Sequence, residues 1–320
     1  GPVVSGFLLE IFSWRAIFLV TLPLSLSVFF YFSLVILPKL ETIQQNNLQQ
    51  HQFDLKGFLS WSTFIGLTVV LITNHQAFSR IVIALGVIAL FFLFVSFLWI
   101  ETHTKNPLLP LNLFENRNFV IGISCATFSF AVLFVVLILM PFYLDTVLKF
   151  QPQKIGMMMM AVPLLVFAVS PVSGRLYDRY GAKVLTTSGL ALSMSALGLL
   201  CFLGPETGFW YIFISLSILG CGQALFLSPN SAALLMEGDA HHSGIVSGLL
   251  ATSRNMGMLA GVSLGGLVFG LVFAANSGGL DIRDYTGGLE NEFIRALRYT
   301  FIGTALLSGA AMVLSWQRSS

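Results

Sequence analysis

A chain of 320 residues that is 56% hydrophobic and only 9% charged does not read as a soluble domain, where about 25% of residues carry charge. The net charge of +2 is too small to call for nucleic acid. Three cysteines (Cys125, Cys201 and Cys221), all inside apolar runs, give neither a disulfide framework nor zinc-ligand spacing, so no metal or cofactor is expected.

Crossing about 30 Å of hydrocarbon as a helix takes about 20 apolar residues. By that measure the chain opens with a partial segment at 1–12. Nine complete segments follow, at 16–37, 55–73, 81–100, 119–144, 154–173, 184–204, 209–236, 244–275 and 296–316. The expected class is therefore an all-α integral membrane bundle. A barrel would show segments of about 10 residues of alternating polarity, and Ile81–Ile100 does not alternate. The runs 209–236 and 244–275 exceed the bilayer's need, so re-entering ends, kinks (Pro229 lies in the first) or exposed final turns are expected there. The first residue is Gly1 and apolar sequence starts at once, without the basic stretch and cleavage site of a leader peptide; it reads as an internal start.

Three polar linkers stand out. Pro38–Phe53 is rich in Gln and Asn, Glu101–Asn118 holds Pro107 and Pro110, and Asn276–Arg295 holds four glycines and four acids. Assigning alternate loops to opposite sides puts eight cations on one side and seven on the other, with Arg254 left over. That balance leans toward a cytoplasmic loop at 174–183.

That loop, Gly174-Arg175-Leu176-Tyr177-Asp178-Arg179-Tyr180-Gly181-Ala182-Lys183, packs three cations and an acid into an expected tight turn between two apolar helices. Gly174 and Gly181 let the chain reverse, and Asp178 can accept bonds from free amides at the next helix start. The segment resembles the G-x-L-x-D-R-x-G-x-K/R signature of the major facilitator superfamily. In that family the signature lies between the second and third helices of a six-helix half; counted from the segment at 119, it falls there too.

Gly1-Pro2-Val3-Val4-Ser5-Gly6 resembles the end of the G-P-x-x-G-G signature of proton-driven antiporters, with Ser5 in place of a glycine. Ser13-Trp14-Arg15-Ala16-Ile17-Phe18 is similar to the S-W-R-W-I-F turn that follows it. Small residues let helix backbones touch, and proline bends the helix. The later run Gly257, Gly261, Gly265, Gly266 and Gly270 reads either as an echo of that motif or as plain close packing.

The helix order resembles the fourteen-helix drug:proton antiporters, whose halves are joined by an inserted helix pair. The resemblance implies that residues 1–37 end a first half, 38–118 carry the linker and inserted pair, and 119–320 form the second half. It further implies that about four helices are missing in front. Those helices would supply the family's coupling acid and arginine.

No acid here falls clearly at membrane depth; Glu10, Asp145 and Glu237 lie near helix ends and the others in or beside loops. Arg254, beside Asn255 and about ten residues into the 244–275 run, either faces a cavity or snorkels to an interface. Asn230 and Gln223 either line a cavity or bond between helices. His241-His242 lacks a further metal ligand at useful spacing, and Met157–Met160 points all round a helix, which favours core or lipid contact.

The resemblance implies a multi-pass protein of a bacterial inner or plasma membrane, working as a monomer. It would export lipophilic or cationic drugs against protons by alternating access. Its partners would be that small-molecule substrate, the proton and the lipid bilayer. A metabolite exporter of the same fold and a non-functional fragment are the alternatives. An intramembrane enzyme would need paired acids, a metal cluster or an activated nucleophile at depth, and no phosphate-binding loop marks a primary pump.

Overall fold

Long apolar runs satisfy their backbone amides internally by coiling into helices, and among the described residues every regular element is helical. The computed structural model describes residues 15–38, 54–73, 77–104, 111–237, 243–280, 282, 285 and 287–318. The helices are α1 (Arg15–Tyr31, continued by a π-type turn at Phe32–Ile36), α2 (Leu55–Thr73), α3 (Arg80–His103) and α4 (Arg117–Phe142, continued by a π-type turn at Tyr143–Val147). They are followed by α5 (Pro152–Met159), α6 (Ala161–Leu200), α7 (Phe209–Glu237), α8 (Ser243–Asn276) and α9 (Glu290–Trp316). Starts are set by local chemistry. Ser79 accepts from the Val82 amide at 3.4 Å, Asn116 from the Asn118 amide at 2.9 Å, and Pro152 sits in the first turn of α5.

Six helical runs among the described residues are long and apolar enough to cross a bilayer: Arg80–His103, Arg117–Val147, Pro152–Leu200, Phe209–Glu237, Ser243–Asn276 and Glu290–Trp316. Thr21–Ile36 and Leu55–Leu71 are shorter apolar helices. The 49-residue run Pro152–Leu200 contains the expected segment 154–173 and all but the last four residues of 184–204. The expected segment at 1–12 lies outside the described residues.

The expected loop at 174–183 is not a loop. The chain is helical up to Tyr180 and again from Ala182, and Gly181 alone leaves helical geometry, at φ 75° and ψ 173°. Arg, Leu, Ala and Lys form helix well, and Arg and Lys expose their charged ends at a membrane border, so the charge cluster extends the helices instead of interrupting them. Gly174, expected to share the reversal, is helical. The two arms of α6 run in opposite directions along α7. In the first arm Val162 lies against Gly220 and Tyr177 against Met236; in the second Gly189 lies against Gly222, and Leu199 accepts from Tyr211 near the start of α7. The chain therefore reverses at one residue.

The long runs 209–236 and 244–275 need neither breaks nor re-entry. They fold as uninterrupted helices of 29 and 34 residues, which at about 1.5 Å per residue are longer than about 30 Å of hydrocarbon requires. Two apolar cores hold α4–α9 together. One surrounds Tyr143, Met158, Leu197, Leu216, Phe273 and Phe301; the other, nearer Gly181, joins Phe119, Leu190, Phe226, Leu234 and Val246. α2 and α3 pair with each other, the tilted rings of Trp61 and Phe97 4.8 Å apart, and touch the bundle lightly through α8. α1 presents Leu24 and Leu34 outward.

Candidate functional site

Close backbone contact sets where the helices of the bundle lie. A side chain at Gly257 or Gly261 of α8 would run into the carbonyl oxygens of Thr127 and Ala131 of α4, and one at Gly265 would meet Val135 Cγ2 at 2.9 Å. Three glycines one turn apart thus form a smooth ridge against α4. Gly266 and Gly270 face open space. Of the two readings of this ladder, close packing accounts for the first three positions.

With α8 seated behind α4, an apolar groove of about 870 Å³ opens between α4, α5, the first arm of α6 and α7. Leu133 and Leu137, Met159, Val166 and Phe167, and Leu227 line it, with Pro141, Pro163 and Pro171 around its wall. Phe167 is 81% exposed and Met159 is buried. The methionine run accordingly divides between core (Met158, Met159) and an exposed Met157.

Arg254 lies beside this groove. Its guanidinium donates to Ser231 Oγ at 2.6 Å and stands 5.5 Å from the Phe130 ring centroid. Ser231 is about one turn past Leu227 on α7, and Phe130 about one turn before Leu133 on α4. The cation therefore lies about one turn beyond the groove's lining on the side nearer Gly181, half-buried, with its Nε buried and without a hydrogen-bond partner. Asn255 points away and is exposed.

Gln223 and Asn230 are buried and bond between helices. Gln223 accepts from Ser129 Oγ at 3.1 Å and donates to the Ser129 carbonyl. Asn230 donates to the Gly122 carbonyl at 3.0 Å and accepts from Arg318 at 3.2 Å. Both amides pin α7 to α4; the groove takes its lining from apolar neighbours.

At the reversal, Gly174, Arg175, Asp178 and Arg179 lie on the last turns of the first arm, and Lys183 on the first turn of the second. Arg175, Asp178 and Arg179 are exposed. The Arg179 guanidinium lies 5.4 Å from the Tyr180 ring, and Lys183 Nζ 5.0 Å from the ring of Trp316. Gly1, Pro2, Gly6, His241 and His242 lie outside the described residues. Among the described residues no three His, Cys, Asp or Glu side chains gather as metal ligands would.

Two polar groupings escaped the sequence reading. Asp54 accepts from the Gly57 amide at 3.0 Å, while Glu101, buried at the end of α3, brings Oε1 to 2.8 Å from where a Gly57 side chain would begin. The Asp54-x-x-Gly57 spacing at a helix start was the available signal. The second is Arg318, which is buried against Glu237; nothing near the chain end marks it.

Comparison with known proteins agrees with this geometry. The family model described as Major Facilitator Superfamily matches residues 1–262 and 123–319. The chain is 30% identical over 268 residues to the riboflavin transporter RibZ of Clostridioides difficile, covering 82% of this chain and 56% of that protein. It is 28% identical over 284 residues to the multidrug resistance protein Stp of Mycobacterium tuberculosis, covering 86% and 50%. It is 26% identical over 242 residues to the lincomycin resistance protein LmrB of Listeria monocytogenes, covering 72% and 48%. The chain thus spans about half the length of the curated relatives it matches. A multi-pass helical bundle with these matches belongs to the major facilitator superfamily of membrane transporters.

Proposed function

We propose that this chain is part of a proton-coupled exporter of lipophilic or cationic drugs that works by alternating access. The 870 Å³ groove carries the reading: its apolar wall matches lipophilic cargo. The relatives named for multidrug and lincomycin resistance support it. In this reading 1–37 end the first half and 38–118 carry the inserted pair α2–α3. The remainder, 119–320, is the six-span second half, which makes nine spans with α1–α3. The reversal at Gly174–Lys183 acts as the cytoplasmic latch, and Gly1, Pro2 and Gly6 belong to the seam between halves.

The test is transport by the intact protein in liposomes with an imposed pH gradient, using ethidium and Hoechst dye as probes. The reading expects gradient-dependent movement of at least one dye, abolished by Asp178→Lys. It fails if neither dye moves, or if Asp178→Lys leaves transport unchanged. A second reading, a metabolite exporter of the same fold, is favoured by the riboflavin transporter relative. Labelled riboflavin exchange without dye movement would select it.

A further inference from the structure

Four consecutive residues at the end of α9 reach four places around the Gly181 reversal. Ser315 Oγ bonds the hydroxyls of Thr186 at 2.8 Å and Thr187 at 3.0 Å on the second arm of α6. The Trp316 ring carries Lys183 Nζ at 5.0 Å. Gln317 accepts from Arg117 at the start of α4, at 2.9 Å. Arg318 donates to Asn230 and to Glu237 Oε1 on α7, the ion pair at 3.0 Å. Although it follows the helix end, Arg318 is only 3% exposed, and the Glu237 side chain only 19%. Beside this pair is a cavity of about 340 Å³ whose other wall includes Tyr177, Tyr180, Gly181, Ala182 and Lys183. Glu237 and Arg318 therefore form one wall of the space that the reversal occupies.

A buried ion pair is a poor device for stability alone, because removing two charges from water costs about as much as their attraction returns. Its better use is to select one geometry. The first arm of α6 reaches this end of the bundle with fewer ties: Tyr177 donates to Met236 Sδ at 3.3 Å, and the chain then turns at Gly181. We infer that Arg318 is a positioning residue. Through Glu237 and Asn230 it clasps the end of α7 to the end of α9, and so fixes the seat against which residues 177–183 pack. This rests on the reading of that reversal as the transport latch.

The experiment uses the intact protein in liposomes with Cys125, Cys201 and Cys221 replaced by alanine. Ala182→Cys, on the cavity wall, and Phe202→Cys, 77% exposed at the opposite end of the bundle, are labelled with a maleimide in separate samples. Arg318→Ala and Glu237→Gln are each expected to raise the labelling rate at position 182 at least fivefold and leave position 202 unchanged. Arg318→Lys is expected to fall between, and the exchange of Glu237→Arg with Arg318→Glu to return the rate toward the parent. Ethidium transport is expected to lose turnover without a change in KM. If Arg318→Ala does not accumulate, Glu237→Gln carries the measurement, since it keeps the side-chain shape. Equal labelling at 182 in variant and parent overturns the clasp. A rise at both 182 and 202 overturns it too, because the pair then only holds the bundle together. If the parent moves no dye, the transport reading fails while the labelling still decides the clasp.

Discussion

Gly181 occupies backbone geometry that glycine alone adopts without strain, at φ 75° and ψ 173°. Gly181→Ala should lower stability by about 1–3 kcal/mol. Thermal unfolding in detergent measures this, and Gly174→Ala, in helical backbone with open space around it, serves as the control that should be neutral or slightly stabilising. The sequence offers both glycines as turn formers, and spacing cannot separate them. Which one turns depends on where the second arm meets α7, through Gly189 and Gly222, and that contact lies outside the motif. Arg254 poses the same problem. Its partners Ser231 and Phe130 come from two other helices, so its depth is invisible from its own run. Arg254→Ala should leave the protein folded and, by removing a like charge near the groove, lower the KM for the cationic dye ethidium several-fold; Arg254→Lys, which keeps the charge, should not. Equal KM values would remove Arg254 from the groove's chemistry.

Helix pairs in this bundle are held by two kinds of contact of unequal weight. The glycine ridge of α8 lies directly on α4 backbone, so any side chain there pushes two helices apart. The Gln223–Ser129 bonds join α7 to α4 with hydrogen bonds whose net worth in membranes averages about 0.6 kcal/mol. Gly261→Val should therefore cost more than Gln223→Leu: roughly 1–3 kcal/mol or more from overpacking against about 1 kcal/mol. Chemical unfolding in mixed micelles compares the two, and the reverse order would show that the helices can slide to make room. Apolar runs are readable because length alone marks them, and the helices follow them in order. The charged stretch 175–183 misleads because polarity imitates a loop while its Arg, Leu, Ala and Lys residues favour helix. Glu101 misleads for a similar reason: a carboxylate near the end of an apolar run looks solvated, yet α2 folds back over it.

Across the whole molecule, α4–α9 form one bundle, and its main groove collects side chains as far apart in the chain as Leu133 and Leu227. No local pattern announces such a groove, whereas the family was legible from one ten-residue segment and its place in the helix order. If the groove carries substrate, Leu137→Trp should fill part of it. Ethidium transport should then fall at least tenfold with the protein still monodisperse on gel filtration. Unchanged transport would put the path elsewhere.

A reversal made by a single residue leaves no slack in chain length. Adding one residue to the second arm of α6 near Gly181 would turn the following helix by about 100°. Thr186, Thr187 and Gly189 would then leave Ser315 and Gly222 together. Insertions and deletions at this point should thus be far less tolerated than substitutions. In a library of length variants, positions 181–185 should appear as a gap beside the permissive linkers at either end of α2 and α3.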